Sequence, residues 1–461
     1  MPDRLNQAAV NELRKNFSGE ILLPEHSSYD QKRKNFNGFI DRHPAIIAGC
    51  ANVSDVVQAV NFGRENGLEI AVRSGGHSVA GWGVSDGGMV IDMRAMNTVR
   101  VDPGARTVRV GGGAIWRDVD SACRQHNLAT PGGTVPTVGV AGLSLSGGWG
   151  YLSRKFGLSC YNLLSVELVT ATGEVLTVSE EEHPELFWAL HGGGGNFGVV
   201  TELTFGLYPL ENATMFMLVF PPEEGVKVTE LFRDMFETGA PDELCGELVF
   251  MTAPSEEFVP SDLVNKLALF IIMVYAGPEP EARQAAAPLL ELDPDGEMIM
   301  EMPYADIQDL EEVEFGNHHH VTSEHLKNLP DQAVKQFCAR AYNMPVPSKS
   351  IQALSTWGGS ISREAKGWPM AGLDALWHVY PFGIWSDPND DERNRDWVNG
   401  LRSDMAPYAT GGGYLNLTVN EGIERTIAGY GGQDKFKRLA RIKAEYDPGN
   451  IFHLNHNIEP G

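Results

Sequence analysis

At 461 residues the chain is long enough for more than one domain of the usual ~100 to 200 residues. Its 61 acidic residues against 36 basic ones give a formal charge of −25, and with no basic cluster to offset it, nucleic acid is excluded as an expected partner. No window reaches the ~18 uninterrupted apolar residues of a membrane span, and the charges at Arg4, Glu12, Arg14 and Lys15 break any secretory signal.

In chain order, Ala45 to Ala48 reads as a short strand. Ser54 is placed to cap a helix with the stripe Val56, Val57 and Val60, ending near Gly67. Leu68 to Val72 then reads as a buried strand feeding Ser74-Gly75-Gly76-His77-Ser78. Such a unit predicts parallel strands with a right-handed crossover, a common platform for a nucleotide. Two adjacent glycines allow positive φ and bring bare N–H groups against a diphosphate, and His77 stands within reach of a cofactor ring.

Met89 to Met93, Val99 to Val101 and Thr107 to Val110 read as further strands, followed by a helix from Ile115 to His126. A second glycine-rich stretch from Thr130 to Gly150 is too bare of side chains to form an independent core element, and it is expected to wrap backbone around something flat and polar. Leu164 to Thr170 and Val175 to Val178 flank a hairpin turn at 171–174. The tract from His191 to Gly198 contains a formal G-x-G-x-x-G, which in a dinucleotide fingerprint needs a strand before it and a helix after it. Here Pro184 to Leu190 reads as a helix and Val199 to Leu207 as a strand, so that fingerprint is rejected.

Beyond Leu210 glycine thins out, prolines punctuate the chain, and Leu267 to Val274 and Leu373 to Tyr380 read as strands of a different domain. Phe436 to Tyr446 reads as a basic amphipathic helix stopped by Asp447-Pro448-Gly449-Asn450, and Ile451 to Ile458 as a strand-like tail that needs docking. The expected division is 1–210, 211–421 and a C-terminal segment 422–461 that completes the first domain. The five cysteines, Cys50, Cys123, Cys160, Cys245 and Cys338, are far apart and lack metal-ligand spacing, and they read as inert thiols of a cytoplasmic protein.

Arg73 to Ser78, Gly132-Gly133, Pro136 to Gly142, Gly147-Gly148-Trp149-Gly150, Arg154 to Leu158, Gly193 to Val200 and Ala440 to Ile458 together resemble the flavin-linked oxidases of the vanillyl-alcohol oxidase fold. Within them the likeness is to the berberine-bridge-enzyme-like group, which includes 6-hydroxy-nicotine and glucooligosaccharide oxidases. The resemblance implies an α+β fold: a PCMH-type FAD-binding domain of two α/β subdomains, and a substrate domain with an antiparallel sheet covered by helices. It also implies FAD, linked through His77 to the flavin 8α-methyl; a neutral imidazole is a competent nucleophile for such a bond. Val135 stands where some members carry a second, cysteinyl link, so a single attachment is expected. The cofactor residues it implies are Arg73, Ser74, Gly75, Gly76, Ser78, Pro136, Thr137, Gly139, Gly142, Gly147, Gly148, Gly150, Gly198, Val200, Asn416, Asn455 and Asn457.

The resemblance places Val138 at the position that gates oxygen, where valine goes with an oxidase releasing hydrogen peroxide; plain packing of a β-branched residue is the other reading. Tyr414-Leu415-Asn416 resembles the family's Tyr-x-Asn strand, whose tyrosine assists deprotonation in some members; that role needs a depressed pKa or a neighbouring base, and a core aromatic is the other reading. His378 and Tyr380 alternate on one face of their strand, from which they could project toward the flavin; a satisfied structural histidine is the other reading of His378. His318-His319-His320 is no metal site, because adjacent side chains splay apart, and none is expected. That segment keeps only Ser323 of the relatives' Arg-x-Tyr-Trp-Lys-Ser pattern, so no relative's substrate carries over.

The function expected is an FAD-dependent oxidase that takes a hydride from a C–H next to an alcohol or amine of a small molecule, with O2 as the second substrate. Alternatives are a flavin dehydrogenase or oxidative cyclase using the same site, or a non-catalytic flavin-binding module. Neither the substrate's identity nor the oligomeric state is encoded in these motifs.

Overall fold

Ile46–Gly49 and Ile70–Arg73 are short, largely buried runs, and each pairs in parallel with Met89–Asp92, which lies between them; Glu20–Leu22 closes the outer edge antiparallel. The computed structural model describes residues 6–310 and 313–461. The crossover between the two parallel strands is the helix Val53–Glu65, which buries Val56, Ala59 and Val60 against them. Its cap is Asn52 rather than Ser54: Asn52 is extended, its side chain accepts from Asp55 N, and Ser54 falls inside the first turn.

A second sheet of five antiparallel strands follows in the order Val99–Asp102, Thr107–Gly111, Val199–Gly206, Leu163–Val169, Val175–Ser179. Helix Pro184–Ala189 precedes the glycine tract and strand Val199–Gly206 follows it, the reverse of a dinucleotide fingerprint. The stretch 130–150 is less bare than its glycines indicate. Val140–Ser144 forms a helical turn, and Val140, Leu145 and Trp149 join the core with Trp116, Leu168 and Phe205. Leu439, Ile442 and Ile458 from the end of the chain sit in the same core.

The third sheet is antiparallel and larger, in the order Gly296–Pro303, Asn212–Phe220, Leu267–Tyr275, Leu244–Thr252, Ile351–Thr356, Trp377–Trp385, His318–Val321, with Glu324–Leu326 also on Trp377–Trp385. Alternation decides what each face meets. Phe216, Leu218 and Phe220 pack with Phe232, Phe337 and Leu401 of the covering helices, whereas Met215 on the other face meets Tyr151 and Leu152 of the first part of the chain.

Two expectations fail locally. The strand expected over 373–380 runs instead from Trp377 to Trp385; Pro381 and Gly383 look like breakers, but pairing on both sides carries the strand through them. The tail 451–458 is not a strand, yet it is docked, with Phe452 and Ile458 buried. Among the described residues no helix is long and apolar enough to cross a membrane, and all five cysteines are buried and free.

Helix Trp116–Arg124 packs on Tyr304–Gln308 of the third-sheet region, and Asp120 is buried between them. Desolvation pushes its carboxyl up to about 8, with Gln308 offsetting only part. The unfolded acid titrates near ~3.9, so the folded state binds the extra proton between there and about 8, and stability falls as pH rises through that window. Asp120→Asn is therefore expected to raise stability at pH 8.5, on the order of 2–5 kcal/mol, and to change little at pH 4; denaturant melts at the two pH values check this.

Candidate functional site

The loops of the first two sheets and one wall of the third enclose a cavity of about 430 Å³. The glycine turn after Ile70–Arg73 forms one side of it. Gly76 has φ +81°, and Gly75 and Gly139 lie back to back: a Cβ on Gly75 would come 2.3 Å from Gly139 N, and one on Gly139 2.4 Å from Gly75 N. Only glycine at both positions lets the histidine turn touch the 137–139 segment. Arg73 beneath the turn donates to Lys32 O at 2.8 Å and Lys34 O at 2.5 Å, and burial lowers its pKa to about 10.

His77 Nε2 lies 3.0 Å from Thr137 Oγ1, and its ring stacks on Phe36 at 4.6 Å with Phe315 edge-on at 5.2 Å. Burial, reinforced by the Arg73 charge, brings its pKa down to about 4, so the imidazole is neutral at pH 7. With Nε2 on the threonine hydroxyl, Nδ1 is the nitrogen left for chemistry.

The wall fits a flat, polar-ended cofactor. Among the described residues Ser74 Oγ and Asn455 Oδ1 belong to the lining, are buried and have no hydrogen-bond partner, and a Cβ at Gly142 or Gly195 would meet nothing within 4 Å. These are unspent hydrogen-bonding groups and bare backbone of the kind a dinucleotide takes up.

Of the sequence-predicted residues, Arg73, Ser74, Gly75, Gly76, His77, Ser78, Val138, Gly139, Gly142, Gly198, Val200, Tyr380, Tyr414, Asn416 and Asn455 line the cavity together, as does Val135. Pro136, Thr137, Gly147, Gly148, Gly150, Asn457 and His378 do not. Thr137 touches His77, and Gly148 is glycine on two counts: its φ is +88°, and a Cβ there would come 2.2 Å from Ser159 Oγ. His378 is buried beneath Tyr380, with ring centroids 5.2 Å apart, and its pKa lies well below the usual value because no water reaches it. It does not project into the cavity as expected.

Of the two readings of Tyr414, its surroundings match the core aromatic. Its Oη accepts from Gly148 N at 2.7 Å, Trp149 N at 3.0 Å and Asn416 Nδ2 at 2.9 Å. Burial nonetheless pushes its pKa up to about 12, the opposite of what a base at neutral pH requires. Leu415–Leu417 is a 3₁₀ turn, not a strand, and the phenol ties that turn to the glycine segment. The three histidines alternate along His318–Val321: His318 binds Asp391 at 2.8 Å, His320 binds Asn399 at 3.2 Å, and His319 stacks on Phe36 at 4.2 Å from the other face.

Several residues of the site escaped the sequence reading. Trp149, Asn196, Phe382 and His456 line the cavity, and behind Tyr380 the buried Glu247 accepts from Tyr380 Oη at 2.6 Å and Ser355 Oγ at 3.0 Å. The signal for Glu247 was there: it is the one charge in the apolar strand Leu244–Thr252.

Comparison with known proteins agrees with this geometry. Residues 44–179 match an FAD binding domain, and residues 413–459 match the berberine and berberine-like domain. The chain is 31% identical to (R)-6-hydroxynicotine oxidase of Paenarthrobacter nicotinovorans, over 96% of this chain and 97% of that one. It is 28% identical to an uncharacterized FAD-linked oxidoreductase of Bacillus subtilis (strain 168), over 96% and 97%. The crystal structure of 6-hydroxy-D-nicotine oxidase from Arthrobacter nicotinovorans superposes with a TM-score of 0.85 at 28% identity, covering 96% of this chain and 98% of that one. A PCMH-type FAD-binding fold, a glycine-walled cavity and full-length likeness to oxidases converge: the chain is an FAD-dependent oxidoreductase and belongs to the berberine-bridge-enzyme-like family.

Proposed function

We propose that the enzyme is an oxidase whose FAD is held covalently by His77, and that it removes a hydride from a C–H next to an alcohol or amine of a small molecule, with O2 reduced to H2O2. Bound FAD supplies the hydride acceptor and the route for electrons to oxygen. The observation that carries the reading is His77 itself, a neutral imidazole in the cavity wall, fixed by Thr137. Arg73 and Gly75 hold the turn that presents it, and Val135 offers no sulfur for a second link. Ser74, Asn416 and Asn455, with the backbone of 139–142 and 194–198, are the groups to hold the rest of the cofactor. On this reading residues 1–210 and 422–461 form the FAD-binding part and 211–421 the substrate part, with Asn416 near the end of the latter reaching the cofactor; Leu439, Ile442 and Ile458 share a core with 108–207, a core that Trp357, Trp368 and Tyr414 also enter. The similarity to a protein named (R)-6-hydroxynicotine oxidase supports oxidase chemistry on a small molecule.

The test is reoxidation. Photoreduced holoenzyme exposed to air is expected to regain its oxidised spectrum rapidly with release of peroxide; flavin that stays reduced in air until a dye is added makes the enzyme a dehydrogenase and overturns the reading. Val138 is in the wall, and a larger side chain there narrows the way to the flavin. Val138→Leu is expected to slow reoxidation about tenfold or more, ~1.4 kcal/mol of added barrier, measured by stopped-flow mixing with oxygenated buffer.

A further inference from the structure

Helices Trp116–Arg124 and Tyr304–Gln308 meet where the first part of the chain touches the third-sheet part, and two pairs of residues four apart, Trp116 with Asp120 and Tyr304 with Gln308, are buried there. Gln308 Nε2 donates to Gly133 O at 2.5 Å, so the third-sheet part grips the glycine segment directly. Gly132 rests on Trp116, where a Cβ would come 2.6 Å from Cε3, and Gly133, Thr134 and Val135 line the cavity. Farther along, Arg117 N and Trp116 N hold Pro136 O and Val138 O at 2.9 and 3.1 Å. That stretch is fixed by helix backbone, whereas Gly133 O takes its bond from a side chain.

The Gln308 amide has a second neighbour. It interacts with the Asp120 carboxyl, yet Asp120 Oδ2 and Gln308 Oε1 are both buried without a hydrogen-bond partner among the described residues. A carbonyl oxygen can only accept, and the donors on the same helices, Tyr304 Oη and Trp116 Nε1, reach neither atom. One proton on the carboxyl removes the conflict: the acid donates to Oε1 and leaves Nε2 to Gly133 O. Without it, the carboxylate and Gly133 O compete for the same amide N–H group.

We propose that Asp120 and Gln308 are positioning residues for the flavin, a proton-dependent latch in which the acid locks the amide onto Gly133 O and loss of its proton loosens the wall segment 133–135. FAD in the cavity is required for this, whether or not the flavin is tethered at His77. In opening, the Asp120 O–H bond breaks, the proton passes to solvent, and Gln308 Nε2 turns from Gly133 O toward the carboxylate. Burial sets the window, raising the carboxyl to about 8, with Gln308 opposing and Asp309 adding to the rise; the latch is closed below that pH and open above it. The charges around Asp120 are paired with one another, Arg117 with Asp309 at 2.7 Å and Arg124 with Asp306, while Asp118 accepts from Ile115 N. Cys123 on the same helix and Tyr304 opposite are pushed up by burial and stay neutral in this window. Arg100, Asp102 and Arg109, on the strands packed against the helix, are exposed.

The experiment uses holoenzyme, wild type beside Asp120→Asn and Gln308→Leu, each first checked for flavin loading and far-UV circular dichroism. Flavin absorption and fluorescence are followed from pH 6 to 9, and hydrogen exchange of the peptide spanning Gly132 to Val135 is read at both ends. Corrected for intrinsic exchange, that wild-type peptide is expected to exchange about tenfold faster at pH 9, the size of one hydrogen bond, with the flavin signal shifting in the same window. Asp120→Asn, whose amide donates to Gln308 Oε1 at any pH, is expected to keep the slow exchange and the pH 6 spectrum throughout. Gln308→Leu is expected to show fast exchange and the pH 9 spectrum throughout. Opposite freezing of the two variants is a result that a merely structural contact does not produce. Wild-type exchange that is the same at both ends overturns the latch, as does Asp120→Asn titrating like the wild type. Exchange that changes while the flavin signal does not overturns the positioning of the cofactor. Infrared difference spectra read the proton itself and serve where a variant does not fold: a protonated carboxyl band at pH 6 that is gone by pH 9 supports the latch, and its absence at pH 6 overturns it. A protein isolated without flavin contradicts cofactor binding instead, and exchange with the infrared band then decides Asp120 and Gln308.

Discussion

The His77→Ala variant is expected to give up its flavin to the supernatant on acid precipitation, while the unaltered protein yields a yellow pellet. The tether needs three conditions that meet at this residue. The imidazole must be neutral, and burial with the Arg73 charge puts its pKa at about 4. It must be held in one orientation, which Thr137 at 3.0 Å and the Phe36 stack provide. No other nucleophile in the wall may replace it: all five cysteines lie elsewhere, buried, and His456, the other imidazole in the wall, has its Nε2 held at 3.0 Å from Leu415 O and 3.1 Å from Thr418 Oγ1. Because the neutral form is the nucleophile, attachment in apoprotein reconstituted with FAD is expected to run at a constant rate from pH 6 to 8 and to fall only as pH approaches about 4. Mass spectrometry of the peptide carrying His77 reads the covalent fraction directly. Colour that leaves the unaltered protein in acid removes the tether, and with it the role given to His77, but leaves the family assignment standing. Thr137→Val separates orientation from chemistry: it keeps the nucleophile but frees the ring, so attachment is expected to slow rather than vanish.

What the sequence made legible was local. The strand Ile70–Arg73, the turn after it and the hairpin at 171–174 follow from apolar runs and glycine placement within a few residues, and the structure has them where the pattern put them. The order of helix and strand around 193–198 was equally readable, and it separates the glycine repeat there from a dinucleotide fingerprint. What stayed hidden depends on partners distant in sequence. Glu247 gains its meaning from Tyr380, 133 residues on, and the donors that fix Tyr414 come from 265 and 266 residues back. The choice of Asn52 over Ser54 as cap turned on backbone angles that two good capping residues in the same sequence window do not reveal. For the same reason the pattern placed His378 and Tyr380 on one face but not at one depth: one lines the cavity and the other lies under it.

The end of the chain shows how a segment without sheet partners is still fixed, and Asp447→Ala is the second large effect expected. Lys443 and Asp447 are fully buried and 2.6 Å apart. The ammonium also donates to Asn196 O at 2.6 Å and Phe452 O at 3.0 Å, and the carboxylate accepts from the backbone N–H groups of Ile451 and Phe452, both at 2.9 Å. One ion pair thus joins the last helix, the glycine tract and the tail that supplies Leu454, Asn455 and His456 to the cavity. Removing the carboxylate strands a buried ammonium and is expected to cost about 3–5 kcal/mol, read as a lower Tm and denaturation midpoint. Replacing both partners, as Lys443→Met with Asp447→Ala, is expected to recover part of that loss, because no uncompensated charge remains. The same variant also bears on the flavin. With the tail loosened, a cofactor held only by contacts would be lost on dialysis. One tethered at His77 is expected to stay on the protein and become more fluorescent as water reaches it, so Asp447→Ala in the His77→Ala background should lose the flavin that Asp447→Ala alone retains.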